Sequence, residues 1–390
     1  TKKLYRFLQM RYDCFIVSPR RKIVILRRCI YLLFPGRITF SMKQLSYKEQ
    51  IDRRNIEKIR ELQKSLPAFT ADFFRAMEIR KSTNTRKNYA YDLGTFFYFL
   101  QQNNPALGGT DLHSLKIETL DQIKAVDIEE YLSFLEYYER DGVIYRNQEE
   151  GKARKLSSLS TFYGYYYKNE QIQTNPTALV EVPKIKEKNI IRLEPNEVVE
   201  LLDQVESGEN LTKKQLESHE KTKIRDAAII TLLLGTGIRV SECVGLDLTD
   251  IDFDNGAMRV IRKGGNEDLV YFGEEVEEAL MQYMEERELL SPAPGHENAL
   301  FISLKNTRLT PRSVERLVKK YASLVTTVKK ITPHKLRSTF GTNLYEETQD
   351  IYLVADTLGH KNVDTTRKHY AAMNENRKRT AVSQVHLREK

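Results

Sequence analysis

A segment with three prolines, PTALVEVPKIKEKNIIRLEP at residues 176–195, separates two stretches of sequence that follow different patterns. Proline fixes φ and removes a backbone donor, which disfavours it inside a helix or in the centre of a sheet. Prolines together with a series of lysines are typical of an extended linker between domains. We therefore predict a first domain at 42–180, a linker at 181–193 and a second domain at 194–390.

The first domain has the apolar periodicity of α-helices throughout. Apolar residues recur at helical spacing in EQIDRRNIEKIRELQKSL and TNTRKNYAYDLGTFFYFLQQN. A third helix is predicted in AVDIEEYLSFLEYYER, with Asp127 as its N-cap. A fourth, GKARKLSSLSTFYGYYYKNEQI, ends before Asn175-Pro176. The pattern predicts a compact helical domain with little strand.

In the second domain, short β-rich runs follow the first helices. The turn residues Asp-Asn-Gly and Gly-Gly-Asn separate these runs, as in antiparallel hairpins. The prediction is a mainly α chain with one small antiparallel sheet. Helices are expected at 194–206, 223–234, 239–246, 274–290, 311–325, 333–347 and 350–358, and strands near 249–253, 257–262 and 268–272.

The net charge of +8 comes from the N-terminal segment. Residues 1–41 contain ten Lys and Arg against one Asp, which leaves −1 for the remainder. Basicity alone is therefore no argument that the main body binds nucleic acid. We expect residues 1–41 to be an extension outside the fold; the alternative is a basic amphipathic arm. The apolar run 23–34 is too short to span a bilayer.

The three cysteines show no paired spacing, so neither a disulfide framework nor a zinc site is predicted. A reducing, cytoplasmic setting follows as the expectation.

Two candidate anion sites lie at predicted helix starts. Thr332-Pro333 precedes His334 and Arg337, which fall on one helical face beside free backbone N–H groups. In GTGIRVSE, a glycine turn precedes Arg239 and Glu242, which are three residues apart. Each pair suits a phosphate, but a surface His and Arg or an ordinary surface ion pair would give the same pattern.

Two further candidates lie at turns. Lys263 enters the glycine turn of RKGG, where a lysine can project toward a ligand or only into solvent. In LGHKNVDTTRKHY, Gly359 is predicted to end a helix as its C′ residue, which fixes His360. Asp364 could cap a short helix with Tyr370 at its far end. A packed aromatic is the alternative for Tyr370, one of 21 tyrosines.

In this order these residues resemble the tyrosine recombinase (phage integrase) family. The matching stretches are GTGIRVSECVGLDLTDIDF, RKGGNE, TPHKLRSTFGTNLY and LGHKNVDTTRKHY. STNTRKNYAYDLGTFFYFL and RKLSSLSTFYGYY are similar to helices of that family's core-binding, SAM-like domain. The resemblance covers about residues 46–385 and is nearest to the Xer recombinases. The polar insertion at 207–223 fits the branch that acts as a single protein.

The resemblance implies a site-specific DNA recombinase that works through a 3′-phosphotyrosine. Tyr370 would be the nucleophile and Lys263 the acid for the 5′-oxygen. Arg239 and Arg337 would hold the phosphate, and His334 and His360 would assist. Glu242 would orient Arg239 and His334. Neither metal nor ATP is implied as a cofactor, and the biological role would be chromosome dimer resolution or mobile-element movement.

The resemblance also implies double-stranded DNA as partner and a tetramer on two DNA sites, joined through the C-terminal tail. No membrane partner is expected. A type IB topoisomerase or a non-catalytic DNA-binding protein on the same scaffold are the alternatives. The candidate DNA contacts are Arg86, Lys87, Arg154, Lys155, Lys184, Lys186 and Lys188.

Overall fold

The computed structural model describes residues 45–104, 107–185, 191–262, 264–360 and 362–363. The predictions for residues 1–41, Lys186, Lys188, Lys263, Asp364, Tyr370 and the C-terminal tail lie outside these ranges. Among the described helices, none is both long and apolar enough to cross a membrane.

The first part of the chain is helical, as predicted. It also contains a β-hairpin that was not predicted. Its elements are α1 (Tyr47–Gln63), α2 (Thr70–Met77), α3 (Thr83–Asn103), α4 (Thr119–Gln122), α5 (Ala125–Phe134), β1 (Tyr138–Arg140), β2 (Val143–Tyr145) and α6 (Glu149–Lys168). Helix α3 begins where the Ser82 hydroxyl accepts a hydrogen bond from the Thr85 amide at 3.3 Å.

Two local predictions in this part were wrong. Asp127 is not the N-cap of α5; it lies inside the first turn and accepts a hydrogen bond from the Lys124 amide at 2.7 Å. The helix also ends at Phe134, and residues predicted as its last turn form β1. Asp141 and Gly142, both with positive φ, make the tight turn to β2.

The core of the first part is aromatic. Phe73, Phe96, Phe97 and Phe162 are each at most 1% exposed, and neighbouring rings meet largely edge to face. Rings in this arrangement stabilise a core beyond their buried area alone. The cluster extends from Ile59 to Val180. The first part therefore has a hydrophobic core of its own.

The second part contains helices around a three-stranded antiparallel sheet of order β3-β4-β5, as predicted. Helix α8, in the polar insertion, was not predicted. The elements are α7 (Pro195–Ser207), α8 (Lys213–His219), α9 (Lys223–Thr236), α10 (Val240–Gly245), β3 (Ile251–Asp252), β4 (Ala257–Ile261), β5 (Glu267–Tyr271), α11 (Glu274–Glu288), α12 (Pro311–Val325), α13 (Pro333–Thr348) and α14 (Ile351–Thr357).

A second hydrophobic core holds these elements together. It extends from Leu193 to Leu336 and shares no member with the first core. Helix α9 lies at its centre, with Ile229, Ile230 and Leu233 fully buried. A small third cluster, Tyr345, Val354 and Leu358, joins α14 to α13. The position of α14 therefore depends on a few apolar contacts and on the polar contacts described below.

Helix α1 contacts both cores. Near its end Ile59 packs into the first core, whereas Tyr47 at its start packs against the second. The Arg308 guanidinium lies 4.8 Å from the centre of the Tyr47 ring, a cation–π contact. The two parts of the chain are thus joined by α1 as well as by the segment that contains the linker.

Candidate active site

Arg239 and Glu242 lie at the start of α10, directly after a glycine turn. Gly237, directly after the last residue of α9, has φ +60°, and a side chain there would collide with Phe340. Arg239 is the N-cap of α10 rather than part of its first turn. Glu242 accepts from the Arg239 amide and from Arg239 Nη1, both at 2.8 Å. The pair is therefore a fixed unit, since the Glu242 side chain is only 2% exposed.

Arg337 is buried against the same glycine turn. Helix α13 starts at Pro333 after the N-cap Thr332, as predicted, although the Thr332 side chain makes no capping hydrogen bond. Arg337 is 4% exposed. Its Nη1 donates to the Gly237 carbonyl at 2.6 Å, and its Nη2 donates to the Leu358 carbonyl. The guanidinium thus connects the end of α9 to the end of α14.

The end of α14 has the geometry predicted for Gly359. Gly359, at φ +61°, donates to the Asp356 carbonyl at 2.7 Å, and His360 donates to the Ala355 carbonyl at 2.9 Å. These two bonds form a Schellman motif, with Gly359 at C′ and His360 at C″. His360 therefore has a backbone position set by the helix end.

Three arginines donate to three consecutive carbonyl oxygens at this helix end. Arg262 Nη2 donates to Thr357 at 3.2 Å, Arg337 to Leu358, and Arg239 Nη2 to Gly359 at 3.2 Å. Cations are favourable here because the carbonyl end of a helix is negative. Three guanidinium groups from α10, α13 and the end of β4 thus meet directly before His360.

Arg262 was not predicted as a site residue. It stands in RKGG beside Lys263, and sequence alone gives a strand-end arginine no distinguishing signal. Its Nη1 donates to Glu242 Oε2 at 3.1 Å. Glu242 therefore bridges Arg239 and Arg262 as well as orienting Arg239.

His334 is exposed on the second residue of α13, three residues before Arg337. His360 is half-buried at the end of α14. The structure thus brings Arg239, Glu242 and Arg337 to the turn that precedes His360, while the placement of Lys263 and Tyr370 lies outside the described residues. The neighbouring Cys243 thiol is fully buried, out of reach of a substrate, and this burial raises its pKa to about 12.

The candidate DNA contacts differ in exposure. Arg86 is 8% exposed and pairs with Glu78 at 3.0 Å. Lys87 is half-buried and donates to Asn55 at 2.6 Å, whereas Lys184 is exposed. That these three residues contact DNA phosphates stays a prediction.

Arg154 and Lys155 share the buried carboxylate of Asp92. Arg154 Nη2 donates to Asp92 Oδ1 at 2.7 Å and Lys155 Nζ to the same oxygen at 3.2 Å. The Arg154 side chain is 51% exposed, but that of Lys155 is only 9% exposed. The Arg154 guanidinium can therefore contact a ligand from this position. The Lys155 ammonium is buried against Asp92 and cannot.

The chain is similar to known proteins along most of its length. The model of the phage integrase family matches residues 191–377. The tyrosine recombinase XerC of Syntrophus aciditrophicus is 31% identical over 329 residues, which cover 81% of this chain and 96% of that protein. The tyrosine recombinase XerS of Streptococcus mutans is 30% identical over 350 residues, 83% of this chain and 97% of that protein.

A solved structure shares the fold. The XerH site-specific recombinase, in a post-cleavage complex with a palindromic difH substrate, superposes with a TM-score of 0.60 at 20% identity. The match covers 88% of this chain and 91% of that one. The chain belongs to the phage integrase family. Within that family it is a Xer-like tyrosine recombinase, an enzyme.

Proposed function

We propose that this chain recombines DNA at specific sites, with Tyr370 as nucleophile. The observation that carries the proposal is the meeting of Arg239 and Arg337 at the turn before His360. Two fixed guanidinium groups are suited to grip one phosphate through paired N–H donors. A tyrosine that follows His360 by ten residues can reach a phosphate held there.

In the proposed reaction, Tyr370 Oη attacks the scissile phosphorus and the bond to the 5′-oxygen breaks. The tyrosine proton leaves with help from His334 or His360, and Lys263 protonates the departing 5′-oxygen. Arg239 and Arg337 hold the non-bridging oxygens, whose charge grows in the transition state. Reversal by another 5′-hydroxyl rejoins the strand, because the phosphotyrosine conserves the bond energy.

The two hydrophobic cores support a division into a helical domain at 42–180 and a catalytic domain at 194–390. We propose that the two enclose double-stranded DNA, with Lys87, Arg154, Lys184 and Lys186 on the phosphates. Arg86 and Lys155, which are buried, are weaker candidates. We also propose that four copies assemble on two DNA sites through the tail at residues 375–390.

Covalent trapping tests this function and identifies the DNA site in the same experiment. The protein is incubated with fragmented genomic DNA of the organism that encodes it and denatured with SDS, and the DNA in the covalent adducts is sequenced. A recovered duplex, nicked near the cleavage point, then serves as substrate. We expect a covalent band with the unchanged protein and with Tyr352→Phe, an exposed tyrosine on α14, but none with Tyr370→Phe.

A band that persists in Tyr370→Phe would identify another nucleophile. Relaxation of a supercoiled plasmid that lacks the recovered site would instead favour a topoisomerase. Specific binding of the duplex without any covalent band would favour a non-catalytic DNA-binding protein.

A further inference from the structure

The guanidinium of Arg262 connects three elements around the proposed site. It lies one residue beyond the end of β4, and its side chain is 10% exposed. Nη1 donates to Glu242 on α10 at 3.1 Å, Nε to Asp268 on β5 at 2.8 Å, and Nη2 to the Thr357 carbonyl of α14 at 3.2 Å. Only arginine can make these bonds together, because its planar fork carries donors in three directions.

The turn after α14 is shaped to receive Arg262. A Cβ at Gly359 would lie 2.8 Å from Arg262 Nε and 2.9 Å from Cζ. The absence of a side chain there lets the guanidinium lie against the turn. Two hydrogen bonds also fix the backbone of Arg262. Its amide donates to the Asn266 carbonyl at 2.8 Å, and its carbonyl accepts from the Gly265 amide at 2.9 Å.

Arg262 also supplies the second cation for Glu242. The buried carboxylate is shared between Arg239 Nη1 at 2.8 Å and Arg262 Nη1 at 3.1 Å. A phosphate bound in the site competes with Glu242 and with the Gly359 carbonyl for Arg239. If the Arg239 guanidinium were the sole cation, that competition would leave the buried carboxylate without a counter-charge, which is strongly unfavourable.

We propose that Arg262 is a positioning residue for the recombination reaction. It keeps Glu242 paired and holds the turn at residues 357–360 while Arg239 and Arg337 bind the scissile phosphate. This inference rests on the proposed function. Arg262 acts through Glu242 and the turn, not through Lys263, although Lys263 is its neighbour in sequence. Its loss therefore slows the chemical step and leaves DNA affinity nearly unchanged.

The test compares three variants of the full chain on the duplex recovered by trapping. Arg262→Gln removes the ion pairs, and Arg262→Lys retains one cation. Arg259→Gln is the matched control, because Arg259 lies on β4, three residues before Arg262, and pairs with Asp250 at 2.8 Å on the solvent side. We expect Arg262→Gln to lower the single-turnover cleavage rate about tenfold to a hundredfold. Its Kd for DNA should stay within about threefold, a split that general loss of structure would not give.

Arg262→Lys and a double variant of Arg262 and Glu242 test whether the effect comes from the ion pair with Glu242. Arg262→Lys should cleave at a rate between those of Arg262→Gln and the unchanged protein, and Arg259→Gln at the unchanged rate. Adding Glu242→Gln to Arg262→Gln should slow cleavage by less than the product of the two single effects, because both changes act on Arg239 through Glu242. If circular dichroism shows that Arg262→Gln is unfolded, the cleavage rate and the Kd for DNA are compared between Arg262→Lys and the unchanged protein instead.

A sulfur-substituted substrate separates Arg262 from Lys263. When sulfur replaces the 5′-bridging oxygen, the leaving group is a thiolate, which departs without a general acid. We expect this substrate to restore cleavage by Lys263→Ala but not by Arg262→Gln. Restored cleavage by Arg262→Gln would overturn the inference, as would an unchanged rate on normal DNA or an equal loss of affinity. If the unchanged protein forms no Tyr370-dependent adduct, the proposed function fails instead.

Discussion

Arg239 and Arg337, far apart in the sequence, donate hydrogen bonds to the carbonyl oxygens of consecutive residues, Gly359 and Leu358. The two guanidinium groups are therefore held side by side at the end of one short helix. In the proposed function a phosphate would replace these carbonyl oxygens as acceptor, so much of the arrangement would exist before DNA binds. Preorganised donors of this kind cost little reorganisation when charge develops.

Gly359→Ala should disrupt this helix end. The residue has φ +61°, and the new Cβ would lie 2.8 Å from Arg262 Nε. We expect a loss of about 1–3 kcal/mol in unfolding free energy, measured by urea denaturation, together with loss of the covalent DNA adduct. Gly164→Ala is the control: no atom lies within 4 Å of its Cβ position, and its helical site should gain about 0.5–1 kcal/mol.

Glu242→Gln should weaken both the fold and the chemistry, because it removes the charge that Arg239 and Arg262 share. We expect a loss of about 1–3 kcal/mol in unfolding free energy and slower cleavage of the recovered duplex. Glu267→Gln should change the unfolding free energy by no more than about 0.5 kcal/mol, since that carboxylate is 63% exposed and 3.7 Å from Arg259. Equal stability of the two variants would contradict the bridging role of Glu242.

His219 should make stability depend on pH. It is fully buried, and its Nδ1 lies 3.0 Å from the Tyr321 hydroxyl, which donates to Asp226 at 3.1 Å. The hydroxyl therefore accepts from Nδ1–H, and Nε2 is buried without a hydrogen-bond partner among the described residues. Burial first, and then the charge of Lys320, lower the pKa of His219.

Since the pKa is lowered in the folded state, the unfolded chain binds the proton more readily. The stabilising effect of neutral His219 is therefore present above the unfolded pKa of about 6.5 and declines as pH falls below it. We expect a slope of up to about 1.4 kcal/mol per pH unit in that window, measured by denaturation at pH 7.5 and 5.5. His219→Gln should remove that slope, whereas His113→Gln, at an exposed site, should keep it.

Arg154 and Lys155 should respond differently to substitution, although they are adjacent and share Asp92. Arg154→Ala should weaken binding to the recovered duplex and reduce the slope of log affinity against log salt by about 0.9. Lys155→Ala should mainly lower stability, because the Lys155 side chain is 9% exposed and contacts a buried carboxylate. Titrations at several salt concentrations and thermal melts separate the two effects. An unchanged salt slope for Arg154→Ala would place it away from the phosphates.

Features that depend on neighbours in the sequence were predicted well. The start of α13 at Pro333 and the helix end at Gly359 follow from backbone preferences of single residues. The three strands also fell close to their predicted positions, because turn residues and alternating patterns define them locally. The hairpin β1–β2, which was not predicted, has an Asp-Gly turn, a local signal that the helical pattern of the preceding residues obscured.

Features that depend on partners elsewhere in the chain were not predicted. Helix α8 has the local signal of a hydrogen bond from the Thr212 amide to Gln215 at 3.0 Å, but its docking needs the buried His219 and Tyr321. Likewise, nothing in the sequence around Lys155 indicates that its ammonium is held by Asp92.

The sequence by itself determined the family, most of the helices and the three strands of the second part, and it named the candidate residues, since each of these depends on local pattern and motif. Only the tertiary structure decided which side chains meet. Packing of α14 on α13 brings the carbonyls of residues 357–359 to Arg262, Arg337 and Arg239. That convergence brings Arg262 to the proposed site, because a contact between distant elements is set by the packing of both and by no pattern within either.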